Sequence, residues 1–335
     1  MAKKVTAKQI ADLCGVSPST VSRVLNNTAS ISEETKNRIF ATAAQLGFEL
    51  NPGSTNLYPT IGIIHPHTNI YLMNEIEQEL EKSISALGYL PVFASYRIDR
   101  NKNNPEDHDK LVSQFVRSGV SGIFIFTEDL SQFHISDISV PVVFFNLEYA
   151  YTQEDCCCVS YDMGVGARLA AEELLIKGCK DPIILLNSHY SPHENGRYTL
   201  FIQKFKEAGI SIDEDHVVPA ERTSSSFEEA RNAIRYLSAR GISYDSIFAG
   251  SDWRAFGALA ALREMGVSVP EQIKVIGYDG SEIAQYNYQP ITSVVCDPHV
   301  AASQLVNLMK SCLENEEIQK RSVIVPVKVF QGKTV

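Results

Sequence analysis

The 335 residues are 44% hydrophobic and carry a formal charge of −10, a length too great for one ordinary core and a composition that excludes intrinsic disorder. No apolar run approaches the roughly 20 residues of a membrane span, and the start MAKKVTAKQIADL lacks the apolar stretch of a secretion signal, so a cytoplasmic protein is expected. Seven cysteines, an odd number that includes the adjacent Cys156, Cys157 and Cys158, exclude a secreted disulfide framework. Adjacent residues alternate across a strand, so the trio reads as strand packing ahead of redox or metal chemistry.

Residues 6–27, TAKQIADLCGVSPSTVSRVLNN, predict two short helices joined by a tight turn. Thr6 with Gln9 three positions on forms a capping box. Ile10, Ala11 and Cys14 mark an inner face, Gly15 supplies the turn, and Ser17-Pro18 starts a second helix, proline at its first position giving up an amide that lacks a partner anyway. Val21, Val24 and Leu25 are its buried side. Ser19, Thr20, Ser22, Arg23 and Asn26 form the opposite side, short hydrogen-bonding groups and one guanidinium of the kind that reads base edges in a major groove. A solvated helical hairpin would show a similar pattern. Residues 1–48 hold six Lys/Arg against three Asp/Glu, a balance of +3 that leaves −13 for the remainder; a basic head and an acidic body fit a phosphate-facing N-terminus.

The segment NPGSTNLYPT, 51–60, is rich in Pro, Gly and small polar residues and reads as a linker. From Ile61 the chain alternates short apolar runs with amphipathic stretches: IGII, a helix over 72–87, PVFAS, a helix over 107–117, then GIFIF and PVVFFN. A second series has helices over 164–177, 196–208, 227–240 and 252–265, with strands PIILLN, SIFAG and KVIGYD. Such repetition predicts two α/β units with parallel sheets covered on both faces. Ligands of parallel sheets gather beyond the strands' C-terminal ends. The polar residues there are His65, Thr127, Glu128, Asn146, Ser188, His189, Ser251, Asp252 and Asp279.

The string IADLCGVSPSTVSRVLN resembles the N-terminal signature of the LacI/GalR family of bacterial transcriptional repressors, and the resemblance extends over the whole chain. It implies an N-terminal all-α helix-turn-helix head over 1–50, a hinge over 51–60, and an α/β two-lobed periplasmic-binding-protein-like body over 61–335, with a chain that crosses between lobes three times. By that pattern lobe one is about 61–160 and 292–322, and lobe two about 161–291 and 323–330. A third helix is expected from Ser32, its cap, to Leu46. Contacts to double-stranded operator DNA are implied for Thr6, Ser17, Pro18, Ser19, Thr20, Ser22, Arg23, Asn26, Ser32 and Thr35. The hinge is about four residues short of the family's, and Leu57 is its one aliphatic candidate for a minor-groove wedge, so only weak kinking of the operator is expected.

The resemblance also implies a homodimer and a small effector, a sugar in the first reading and a purine-type co-repressor or an accessory phosphoprotein in the second. Arg197, in ENGRYTLF, and Asp279, in GYDG, match effector-contacting positions of the family. Asp252 has two readings, effector contact or helix N-cap. Tyr71 is the stacking candidate, although many relatives place two aromatics where Leu72 and Met73 stand here. Asn146 replaces a frequent carboxylate. No leucine heptad follows residue 330, so a dimer without a C-terminal tetramer bundle is expected. An enzyme has little support: MGVGARLA is a fragment of a glycine-rich loop, no GxxxxGK[ST] or nucleophile elbow is present, and HPH (65–67) and HYSPH (189–193) lack metal-site spacing. No cofactor or metal is expected. A transport-type sugar receptor would need only the body, and the head speaks against it.

Overall fold

The computed structural model describes residues 6–25, 31–46, 59–67, 71–96, 105–127, 130, 133–134, 138–146, 156–187, 196–220, 225–314 and 321–335. Three helices come first: α1 (Ala7–Cys14), α2 (Pro18–Leu25) and α3 (Glu33–Gln45). Gln9 N donates to Thr6 Oγ1 at 3.4 Å and Thr6 N donates to Gln9 Oε1 at 2.8 Å, which satisfies amides that a helix start leaves unpaired. Gly15 ends α1 at φ 63°, a left-handed turn that a side chain would strain. Ser17 Oγ then accepts from Thr20 N at 3.0 Å at the start of α2. Ile10, Ala11, Cys14, Val21, Val24, Ile39 and Ala43 pack together, one small core shared by the three helices.

The first sheet contains β1 (Thr60–Pro66), β2 (Leu90–Tyr96), β3 (Gly122–Thr127), β4 (Val142–Asn146), β5 (Cys157–Tyr161) and β11 (Ser322–Val325) in the order β11-β5-β4-β3-β1-β2, with every neighbour parallel. Its apolar runs face cores on both sides. Phe124 and Phe126 join Cys157 and Val159 beneath α4 (Tyr71–Ala86) and α11 (Pro298–Leu313), whereas Ile123 and Ile125 join Cys156 and Cys158 beside α5 (Pro105–Arg117). The cysteine trio thus alternates as a strand's period of two requires.

The second sheet runs β12-β10-β9-β8-β6-β7, built from β6 (Pro182–Leu185), β7 (Val217–Val218), β8 (Ser246–Ala249), β9 (Lys274–Asp279), β10 (Thr292–Val295) and β12 (Lys328–Phe330). All pairs are parallel except β10 with β12. On one face lie α6 (Met163–Ile176) and α7 (Gly196–Glu207); on the other lie α8 (Ser226–Ala239) and α9 (Asp252–Glu264), with the short α10 (Glu282–Tyr286) following β9.

The chain passes between sheets after β5, after β10 and after β11. Tyr161 OH donates to Asp297 O at 2.6 Å, fastening the first crossover to the second. Two of the expected lobe limits are corrected. Residues 292–295 belong to the second lobe, because β10 pairs with β9 and sets Val295 opposite Asp279. Residues 323–325 belong to the first, because β11 pairs with β5 and sets Val325 opposite Tyr161. Each of these strands has four residues, too few to reveal which sheet they join without the register itself.

Candidate functional site

Two surfaces carry the predicted site residues. In the head, Thr6, Ser17, Pro18, Ser19, Ser22, Arg23 and Ser32 are exposed, and Thr20 and Thr35 are half-buried. Ser17 Oγ lies 2.7 Å from Ser19 Oγ and 2.8 Å from Thr20 Oγ1, a hydroxyl cluster at the end of α2 where unpaired amides give positive potential. Ser32 Oγ and Thr35 Oγ1 meet at 2.9 Å at the start of α3. Asn26 and Leu57 lie outside the described residues, as do Glu128, Ser188 and His189.

In the body, Arg197 is the second residue of α7 and is 8% exposed. Its Nη1 donates to Gly250 O at 2.7 Å, just past β8, and its Nη2 lies 3.3 Å from Met163 Sδ. The guanidinium carbon sits 4.1 Å from the centre of the Tyr278 ring, a cation–π contact worth about 2 kcal/mol where water is excluded. Tyr278 OH in turn donates to Met163 O at 2.9 Å. One arginine therefore joins the ends of β8 and β9 to the first residue after the β5 crossover. Tyr278, Met163 and Gly250 are partners that sequence reading missed, although Tyr278 stands inside the GYDG motif.

Asp279 ends β9 at φ 105°, a strained conformation for a residue with a side chain and one that clusters at binding sites. Its carbonyl accepts from Cys296 N at 3.2 Å. Burial lifts the Asp279 carboxyl above the usual carboxylate range, Arg197 opposes the rise, and Asp252 adds to it. Arg197 and Asp279 thus act on one another electrostatically at the C-terminal edge of the second sheet, beside the crossovers. A fixed guanidinium and a carboxyl group there can bond paired hydroxyls of a polyol.

The N-cap reading of Asp252 is corrected. Ser251 is the N-cap of α9, its Oγ accepting from Arg254 N at 3.4 Å. Asp252 is 1% exposed and points inward: Oδ1 accepts from Ser293 Oγ at 2.5 Å, and Oδ2 accepts from Ser281 N at 2.7 Å and Ser281 Oγ at 2.9 Å. Burial raises its pKa while these donors lower it. The side chain bolts α9 to β10 and to the loop that follows Asp279, so it supports the site from behind. Asp252→Ala is expected to lose about 3 kcal/mol of stability, since three buried donors are orphaned, measured by urea unfolding. A loss below about 1 kcal/mol would show that those donors find other partners.

Tyr71 opens α4 and is half-buried; its hydroxyl accepts from Glu282 N at 3.4 Å. It therefore bridges the two lobes. The Asn146 backbone ends β4 opposite Thr127 and Ser160, while its side chain lies outside the described atoms. His65 Nδ1 is engaged by Glu77 Oε1 at 3.1 Å. The glycines of MGVGARLA serve packing: a side chain at Gly166 would collide with Tyr278, and one at Gly164 with Leu200. Among the described residues no group of three or more His, Cys, Asp or Glu could hold a metal ion, and no helix is long and apolar enough to cross a membrane.

Residues 6–51, which contain this head, match the family described as bacterial regulatory proteins, lacI family, and 171–335 match the periplasmic binding protein-like domain. The sucrose operon repressor of Streptococcus mutans is 26% identical over 342 residues and covers 100% of both chains. The chain carries a lacI-family DNA-binding domain followed by a periplasmic binding protein-like domain. The ribose operon repressor of Bacillus subtilis is another relative, 25% identical with 98% of each chain covered. In fold, the chain is similar to the lac repressor dimer bound to operator and an anti-inducer, with a TM-score of 0.75, 20% identity and 99% of both chains covered. The relatives it matches are operon repressors and the matched family is one of regulatory proteins, not enzymes.

Proposed function

We propose that this lacI-family regulator represses a carbohydrate-utilisation operon from the cytoplasm, and that a small sugar or sugar derivative held between the lobes at Arg197 and Asp279 sets its affinity for double-stranded operator DNA. The observation that carries this reading is Arg197 itself, a buried cation clamped over Tyr278 and tied to the crossover at Met163. A ligand that engages it acts where the chain passes between lobes. The carbohydrate names of the curated relatives support the sugar class, and the head supplies hydroxyls and Arg23 on one face of α2.

A homodimer follows from the same reading. β2 is an edge strand of the first sheet among the described residues, with Leu90, Val92 and Phe93 exposed by 53%, 38% and 42%. In the second lobe Trp253, Tyr286 and Tyr288 are exposed by 44%, 81% and 59%. The Tyr71–Glu282 contact joins α4, beside β2, to α10, which carries Tyr286. Exposed apolar groups on both lobes suit a second copy of the chain, and pairing brings two heads to two half-sites about one helical turn or a multiple apart. Selection from a random duplex pool with the full chain should enrich a two-fold symmetric sequence, and thermal-shift screening against sugars, sugar phosphates and purines should single out a sugar. A pool with no enriched palindrome would overturn the operator reading, and stabilisation by a purine alone would overturn the effector class.

A further inference from the structure

One feature of the first lobe takes no part in DNA or effector chemistry. Cys157 Sγ on β5 lies 3.7 Å from Cys312 Sγ near the end of α11, although 155 residues separate the two in sequence. Cys157 is 6% exposed and Cys312 is half-buried, so one thiol of the pair is open to small molecules while the other waits behind it. The remaining cysteines, Cys14, Cys156, Cys158, Cys179 and Cys296, are all buried.

We propose that Cys157 and Cys312 form an oxidisable thiol pair that closes to an intramolecular disulfide under hydroperoxide, a modification that staples the last turn of α11 to β5. The closing movement is modest, because a disulfide needs its sulfurs about 2.05 Å apart and tolerates a range of Cα separations. In the first step the Cys312 thiolate attacks a peroxide oxygen, the O–O bond breaks, and hydroxide leaves and is protonated to water. The product is a Cys312 sulfenic acid. In the second step Cys157 sulfur attacks the sulfenic sulfur, the S–O bond breaks, and the departing hydroxide takes the Cys157 proton as a second water. Two thiols lose two electrons and the peroxide gains them.

Burial and the neighbouring Cys157 push the Cys312 thiol up to about 12, with Arg321 acting the other way. Thiolate is scarce at neutral pH, so the pair responds to sustained oxidant and does not compete with fast peroxide scavengers. The staple also has a place to act: Val306, Met309, Lys310, Leu313 and Glu314 of this region line a cavity of about 890 Å³ whose other wall includes Lys36 and Phe40 of the head.

The full-length chain, treated with hydrogen peroxide and then alkylated, digested and analysed by mass spectrometry, should yield a peptide pair linked through Cys157 and Cys312 and lighter by two hydrogens. The link should vanish on reduction and be absent from both Cys312→Ser and Cys157→Ala. The oxidised wild type should also melt higher than its reduced form, a difference that Cys312→Ser abolishes. Because Cys157→Ala empties a buried position, the half-buried Cys312→Ser carries the decision if the former folds poorly. Sulfinic or sulfonic acid at Cys312 without the crosslink, or alkylation of all seven cysteines after oxidation, would overturn the proposal.

Discussion

Arg197→Ala and Asp279→Ala are expected to abolish the effector response while leaving the affinity of unliganded protein for operator within about twofold of wild type. An effector shifts an equilibrium only through its different affinity for two states, typically by 1–3 kcal/mol, or roughly 5- to 150-fold. Without Arg197 the ligand loses the one cation fixed on Tyr278; without Asp279 it loses the carboxylate beside it. Arg197→Lys should fail as well, because an ammonium cannot both lie flat on the ring and reach Gly250 O with a planar fork. Fluorescence anisotropy of labelled operator with increasing sugar reads the response. A normal response in Arg197→Ala and Asp279→Ala would place the site elsewhere.

Arg23→Ala should weaken specific operator binding by about 1–3 kcal/mol, tenfold for every 1.4 kcal/mol, and relax preference at one base pair of each half-site. Arg23 is exposed on α2, opposite Val21 and Val24 of the head core. Its removal should therefore change head stability by less than about 0.5 kcal/mol. Melting and operator titration together separate a reader from a structural residue. Unchanged specificity with lowered stability would assign Arg23 to the fold.

The head was legible because each local signal has a single cause. Thr6 with Gln9, Gly15, and Ser17 with Pro18 each announce a helix end through hydrogen bonding or backbone conformation, and the structure realises each of them. The body's long strands and helices were legible through apolar runs and amphipathic periods. Beyond Asp279 the pattern was silent, and there the chain holds α10, β10, α11, β11 and β12. Short strands are assigned to a sheet by register, which depends on partners such as Ile276 and Cys158 far away in sequence. The helix α11 had its own signals, Asp297 as cap with Pro298 at the first position, and these were available to be read.

Within the site, Arg197 and Asp279 came from motif resemblance, and neither the ring beneath the guanidinium nor the strained backbone of Asp279 could be seen that way. Asp252 shows the opposite failure. An acidic residue after a strand and before a helix fits a ligand contact or a cap equally well in sequence. Only its three donors, from Ser281 and Ser293, reveal a buried clamp. Such a role depends on residues 29 and 41 positions away, beyond any local pattern.

The candidate interlobe site and the head are expected to be thermodynamically coupled, and reciprocal titration measures that coupling. Operator Kd is determined by anisotropy with and without saturating sugar, and sugar Kd by calorimetry with and without saturating operator, on the same full-length protein at the same salt. Linkage requires the two ratios to be equal, and a common factor of about 5 to 150 is expected that falls to 1 in Arg197→Ala. Ratios of 1 in the wild type, with both ligands bound, would contradict it.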